Sequence, residues 1–327
     1  MSIATVTQAR PQSAAALLRI DDLVVDYRIG FRRRVRAVAG VSLEIKRGSV
    51  LALIGESGSG KSTIARAICG LGPLSGGSIL FDGRNLAAAD DRADAAGRAG
   101  IQIVFQDSTS ALDPRWPVWR SVIEPRLKRK AASLEVQKGY AISVMARVGL
   151  HADLAERRPV QLSGGQRQRV TIARALAAEP TLIVLDEAVS ALDVSVRNEV
   201  LTLLDRLRRE DGLTYLFVSH DMGAVAQIAS EVAVLYLGKV VECGDAHRVI
   251  TAPAHPYTKA LIAAVPSFAP PAVAAETRGE IGDPANAPSG CRFHPRCAFA
   301  IQECAVTEPL LAPFKGRLAA CLRLQDV

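Results

Sequence analysis

The sequence has no run of apolar residues approaching the roughly 18 to 20 that a spanning helix requires, so the chain is not expected to cross a membrane itself. Its opening stretch lacks the apolar core and cleavage pattern of a secretory signal. Met1 to Ala16 is small and polar with Arg10 as its lone charge, and reads as a frayed tail in the cytoplasm. Tight C-x₂₋₄-C pairs, the habit of small zinc modules, are missing, and six cysteines without a signal argue against a disulfide scaffold. Four of the six are crowded between 291 and 321, which points to metal or cluster chemistry. A strong charge imbalance is also lacking: a net +7 spread over 327 residues suits nucleic acid, an anionic membrane surface or a basic proteome equally well. What remains is a globular composition, 49% hydrophobic and 22% charged, with room for one large domain or two modest ones.

Against that background one stretch stands out, Gly55-Glu56-Ser57-Gly58-Ser59-Gly60-Lys61-Ser62-Thr63. It fits the pattern G, four residues, G, K, then S or T. Three glycines let the backbone curl so that successive N–H groups face phosphate oxygens, Lys61 adds a point charge, and Ser62 is placed to hold Mg²⁺. A plain Gly/Ser turn does not ask for Lys61. The context agrees, because the apolar run 49–54 before it reads as a buried strand and 63–68 after it as a helix.

Along the rest of the chain, Leu18 to Ile29 and Val35 to Ile45 alternate like paired strands joined by the basic loop Phe31 to Arg34. Tyr27 in the first of them suits core packing or adenine stacking. Short apolar runs follow at Ser78 to Phe81 and Ile101 to Phe105, the second ending at Gln106. From there to about Val160 the texture turns helical, with periodicity over Val136 to Val148, as in an inserted helical subdomain. Leu162-Ser163-Gly164-Gly165-Gln166 then opens a helix over Arg167 to Ala178; Ser163 suits an N-cap, and the glycines bare N–H groups where the helix dipole favours an anion. The stretch reads either as a second anion site, for another anion or for a nucleotide held by a second copy, or as a Gly-rich cap.

Leu182 to Leu185 is apolar at every position, as in a strand buried on both faces of a parallel sheet, and it ends in Asp186-Glu187. Ligands of such sheets sit beyond the strands' carboxyl ends, where Asp186 can orient Mg²⁺ through water and Glu187 can polarise an attacking water. Thr214 to Val218 delivers Ser219-His220-Asp221 to the same edge, with His220 placed to sense a γ-phosphate.

In order, the loop at 55–63, Gln106, Leu162 to Gln166, Asp186-Glu187, Ser190-Ala191-Leu192-Asp193 and His220 resemble the Walker A, Q-loop, signature, Walker B, D-loop and H-switch motifs of ABC transporter ATP-binding subunits. The likeness covers about residues 18 to 250. It implies an α/β cassette with a mixed sheet core, an antiparallel β subdomain and an inserted helical subdomain at about 107–161. It implies ATP and Mg²⁺, the metal held by Ser62, Gln106 and Asp186, with Glu187 and His220 catalytic and Tyr27 stacked on adenine. It also implies a head-to-tail pair of cassettes, identical or paralogous, in which Ser163, Gly164, Gly165 and Gln166 face the partner's nucleotide and Asp193 lies in the D-loop. One departure is Ala188-Val189, where many members carry Pro-Thr; the change is expected to loosen the turn slightly.

The tail narrows the resemblance. His255-Pro256-Tyr257-Thr258-Lys259-Ala260-Leu261 begins a helix, a Pro/Ala-rich linker follows, and then comes Gly290-Cys291-Arg292-Phe293-His294-Pro295-Arg296-Cys297. This is similar to the extension of ATP-binding subunits from oligopeptide, dipeptide and nickel importers. Phe105-Gln106-Asp107 with Leu112-Asp113-Pro114-Arg115 resembles the second of their two paired ATP subunits, the F-type. The resulting division is a flexible tail at 1–17, the cassette at 18–265, the linker at 266–290 and a Cys-rich module at 291–327. Cys291, Cys297, Cys304 and Cys321 can serve zinc or a [4Fe–4S] cluster, and the resemblance favours the cluster in a structural role. Cys69 and Cys243 read as buried small residues. The implied partners are a second cassette, two transmembrane permease subunits and, indirectly, an extracytoplasmic binding protein, at the cytoplasmic face of the inner membrane, with no nucleic acid. A soluble ABC-type ATPase acting on nucleic acid or the ribosome is the alternative, but such proteins generally carry two cassettes or a long insertion before the signature, and neither is present here. A redox-sensing module is a third reading.

Overall fold

The computed structural model describes residues 16–30, 33–86, 98–127, 133–265 and 282–326. The tail at 1–15, Phe31 and Arg32 of the basic loop, and 266–281 of the linker lie outside the described residues. The N-terminal alternating runs form β1 (Ala16–Ile29) and β2 (Arg33–Lys46), an antiparallel pair in register from Ala16↔Lys46 to Ile29↔Arg33. Strand β1 begins two residues before the expected boundary, because Leu17 is already buried in the core of this layer. With β4 (Gly76–Phe81) and β5 (Arg84–Asn85) they make a four-stranded antiparallel sheet in the order β2-β1-β4-β5.

The second sheet has eight strands in the order β11-β12-β10-β9-β3-β8-β7-β6. Its parallel centre is β3 (Val50–Ile54), β6 (Ile101–Val104), β7 (Leu182–Asp186), β8 (Thr214–Val218) and β9 (Glu231–Tyr236). Strands β3, β7 and β8 are buried at every position, as their unbroken apolar sequences require of strands covered on both faces. One face meets α1 (Lys61–Ile68) and the antiparallel layer. The other meets the helices of the main core, including α5 (Val194–Asp211) and α6 (Met222–Ile228).

Between β6 and β7 the chain leaves the sheet as the expected helical insertion. Helices α2 (Val118–Ile123) and α3 (Leu134–Arg147) pack on α4 (Gly164–Ala177), burying Val118, Val122, Ala141, Val144, Met145 and Val170 in one apolar layer. Ser133 caps α3 by accepting the Val136 N–H, which explains a start two residues earlier than the periodicity suggests.

The described part of the C-terminal region is built onto the cassette. After β10 (Lys239–Asp245), α7 (Ala246–Thr251) and α8 (Pro256–Ala263), the chain returns as β11 (Ala312–Phe314) and β12 (Arg317–Ala319). Strand β12 pairs antiparallel with β10, so the tail extends the cassette's own sheet. A tail too small for an apolar core of its own borrows one: Phe293 is buried in the main core, in contact with the rings of Tyr236, Tyr257 and His255. Arg317 is buried beside the fully buried carboxylate of Glu242 (3.3 Å) and also donates to the Arg248 and Ala252 carbonyls. The described end of the linker is likewise laid on the cassette, since Gly282 packs against Leu237 and Pro284 lies beside Gly58.

Candidate functional site

The loop after β3 takes the curled form its glycines permit. Gly55, Gly58 and Gly60 have φ of 149°, 76° and 105°, the region that favours glycine. At Gly60 a Cβ would stand 2.7 Å from the Ala37 carbonyl oxygen, so the strand of the antiparallel layer itself forbids a side chain there. Lys61 opens α1 and folds back over the loop, donating to the Gly55 and Glu56 carbonyls (2.8 Å each) and to Ser59 Oγ (3.3 Å). Burial pulls its ammonium below the usual lysine range, an effect opposed by the charges of Glu187, Asp186 and Glu56. The result is a cation held inside the glycine-rich loop by two backbone carbonyls and a hydroxyl, the kind of charge that polyphosphate binding needs.

Asp186, the last residue of β7, is buried and accepts a hydrogen bond from Ser62 Oγ at 2.7 Å. Burial raises its pKa and the Ser62 hydroxyl opposes the rise. A hydroxyl and a buried carboxylate converging at the first turn of α1 form an all-oxygen set of the kind Mg²⁺ takes, so the residues present fit that ion. Glu187 follows in the left-handed region at φ 51°, its N–H donating to the Val218 carbonyl (3.0 Å) and its own carbonyl accepting from Ser190 Oγ (2.9 Å). Where the family pattern has Pro-Thr, these bonds and the burial of Ala188 and Val189 hold the turn. His220 Nδ1 lies 3.5 Å from Glu187 Oε2, and Gln106 Nε2 donates to Ser190 Oγ at 3.4 Å. The structure therefore brings Ser62, Gln106, Asp186, Glu187 and His220 to one edge, the carboxyl ends of the parallel strands.

Ser163 to Gln166 stands apart from that edge, at the start of the helix that packs in the helical layer. Ser163 Oγ accepts the Gln166 N–H (3.2 Å) and Gln166 Oε1 accepts the Ser163 N–H (2.9 Å), a reciprocal capping box. The Gly-rich cap read from the sequence is thus formed. A Cβ on Gly165 would strike Val196 Cγ1 at 2.5 Å, whereas one on Gly164 would meet open space. Asp193 caps α5 by accepting the Val196 N–H (3.0 Å). Arg197, one turn on, bridges the D-loop to the region after His220 by donating to Asp221 and to the Leu192 carbonyl. Tyr27 is half-buried against the core of the antiparallel layer, with its hydroxyl close to Gly72.

The thiol of Cys291 senses the charges of Cys304, Cys321 and Cys297, and burial pushes it up to about 11. Cys291, Cys297 and Cys321 each take a hydrogen bond from the backbone N–H two residues on, at Phe293, Phe299 and Arg323. Among the described residues, no group of three or more His, Cys, Asp or Glu side chains is arranged to hold a metal ion. Cys69 is half-buried rather than buried outright, its thiol pushed up to about 12 by desolvation, and Cys243 is also half-buried.

Two residues near the phosphate loop had no local sequence signal. Tyr257, on α8, accepts the Glu56 N–H at 2.8 Å, and Arg296, between the first two cysteines of the tail, grips the Glu56 carboxylate with both terminal nitrogens at 2.7 and 3.0 Å. Their partners lie 201 and 240 residues away, beyond the reach of any periodicity or spacing argument.

Comparison with known proteins agrees with this geometry. The ABC transporter family model matches residues 38–190, and the oligopeptide/dipeptide transporter C-terminal region matches 241–304. A probable peptide ABC transporter ATP-binding protein of Sinorhizobium fredii is 42% identical over 315 residues, covering 94% of this chain and 89% of that protein. The dipeptide transport ATP-binding protein DppF of Escherichia coli is 43% identical over 296 residues, covering 90% and 89%. Among solved structures, the ATP-binding cassette MJ0796, a dimer in a post-hydrolysis state bound to ADP and Pi, aligns with a TM-score of 0.64 at 31% identity, covering 70% of this chain and 98% of that one. Fold, ordered motifs and near full-length identity converge: the chain belongs to the ABC transporter ATP-binding proteins, in the branch that carries the oligopeptide/dipeptide transporter C-terminal region.

Proposed function

We propose that this ABC-type ATPase powers a peptide-class importer for oligopeptide, dipeptide or nickel-type solutes, as one of two cassettes beneath two permease subunits at the cytoplasmic face of the inner membrane. The observation that carries the reading is the union in one chain of the cassette with the oligopeptide/dipeptide C-terminal region, at about 42% identity to proteins named for peptide and dipeptide transport. No helix among the described residues is long and apolar enough to cross a membrane, so translocation falls to other subunits.

Within the site, the loop from Gly55 to Thr63 binds the phosphates and Tyr27 takes the adenine. Ser62, Asp186 and Gln106 would hold Mg²⁺, which would supply charge neutralisation for the phosphates. Glu187 polarises the attacking water, and His220, whose Nδ1 lies 3.5 Å from Glu187 Oε2, senses or stabilises the γ-phosphate. Support for a half-site comes from Gly164, whose open face leaves the helix end free for the nucleotide of a second cassette. At the tail, the four cysteines at 291, 297, 304 and 321 are proposed to hold a [4Fe–4S] cluster, with zinc as the competing occupant; iron, sulfide and zinc analysis of anaerobically purified protein separates the two.

The test is co-expression with the membrane subunits and a second cassette, followed by measurement of peptide-stimulated hydrolysis. Full-rate hydrolysis by the lone chain at high dilution, with no membrane subunit retained on purification, refutes the proposal.

A further inference from the structure

The phosphate loop contains an acid, Glu56, whose charge reaches the Lys61 ammonium. A carboxylate there is unfavourable for a site that must take a polyanion, because like charges in a partly desolvated site repel strongly. The structure disposes of it through a residue far away in sequence. Arg296 is 8% exposed at its side chain and donates both terminal nitrogens to the two oxygens of Glu56, which is itself 23% exposed. The guanidinium lies against the rings of Tyr236 and Phe293 and donates to the Tyr236 hydroxyl (3.4 Å). Tyr257 in the same aromatic group takes the Glu56 N–H, so both the main chain and the side chain of this residue are tied outward.

We propose that Arg296, with Tyr257, is a positioning residue of the nucleotide site: it neutralises Glu56 and holds the first turn of the phosphate loop open towards the phosphates. The cysteine-bearing tail is therefore part of the nucleotide site. Arg296 closes the short turn His294–Arg296 immediately before Cys297, and Arg292 in the same segment donates to the Leu237 carbonyl at the end of β9. By reciprocity of linked equilibria, anything that orders this segment favours nucleotide binding, and nucleotide binding favours the ordered segment. A bidentate fork on a carboxylate is geometry that lysine cannot reproduce.

The inference rests on the reading of Lys61 and its loop as the nucleotide site, and the test separates the two. Binding of a fluorescent ATP analogue with Mg²⁺ to the full-length chain is titrated for wild type, Lys61→Ala, Arg296→Gln, Glu56→Gln and the double variant Arg296→Gln/Glu56→Gln. Lys61→Ala abolishes binding if the site is correctly placed, whatever Arg296 does. Arg296→Gln removes the guanidinium and leaves Glu56 unpaired, and is expected to weaken binding about tenfold. Glu56→Gln serves as the reference for the cycle, and the double variant is expected to recover most of the Arg296→Gln loss, because no charge is left to neutralise. A merely structural arginine gives no such rescue. Wild-type affinity in Arg296→Gln, or a double variant that binds no better than it or does not fold, overturns the proposal.

Discussion

His255 makes the stability of this protein depend on pH in a predictable direction. The ring is 1% exposed, its Nδ1 accepts the Tyr257 N–H (3.0 Å) as the cap of α8, and it also hydrogen-bonds the Ala320 backbone beside β12. Protonation would place a charge in an apolar site and remove the acceptor that Tyr257 uses, and burial accordingly lowers its pKa from 6.5 to about 3. Between those two values the unfolded chain binds a proton that the folded chain refuses. The stabilisation is thus complete above pH 6.5 and lost as pH falls towards 3, at about 1.4 kcal/mol per unit. From pH 7 to pH 5 this one ring costs about 2 kcal/mol. Urea unfolding at the two pH values, for wild type and for His255→Asn, isolates that contribution from the carboxylates, because Asn can still cap α8 but does not titrate. The variant is expected to start less stable and to lose about 2 kcal/mol less on acidification. Equal slopes for the two proteins, or an imidazole resonance absent from His255→Asn that titrates near 6.5 in wild type, would refute the reasoning.

Glu187→Gln is expected to bind nucleotide as wild type does while hydrolysis in the assembled transporter falls about 10² to 10³-fold, as for loss of one well-placed transition-state group. Unchanged steady-state turnover removes Glu187 from its role. The two signature glycines give a contrasting pair. Gly165→Ala drives a Cβ to 2.5 Å from Val196 and should cost about 1 to 3 kcal/mol in urea unfolding. Gly164→Ala, facing open space, should leave unfolding within about 0.5 kcal/mol of wild type and yet lower hydrolysis by the assembled pair at least about tenfold. If Gly164→Ala hydrolyses normally, the half-site picture fails.

Much of the site was legible because its chemistry is local. A phosphate loop must follow a buried strand and open a helix, and Val50 to Ile54 and Lys61 to Ile68 do just that. Asp186, Glu187 and His220 were legible because an all-apolar run fixes a buried parallel strand, and the end of that strand fixes where its acids or histidine emerge. The docking of the tail on the cassette's sheet was not legible for the converse reason. Strand β12 is three residues long, too short for an alternation signal, and its partner β10 lies more than seventy-five residues upstream in the pairing Glu242↔Ala319. Arg296 was passed over because an arginine between cysteines has no periodicity to betray its partner. Tyr27 shows a different limit: its half-buried setting satisfies the packing that a strand aromatic always seeks, and ring stacking on a base would use the other face.

The span between Glu56 and Arg296 also has a meaning in time. A ribosome adding about 5 to 20 residues per second needs roughly 10 to 50 seconds to travel those 240 positions. Throughout that interval the nascent chain already displays Gly55 to Thr63, yet the arginine that masks its acid has not been made. The nucleotide site of this protein is consequently among the last features to mature during synthesis, and a chain interrupted before its tail is released as a cassette with its phosphate loop unfinished.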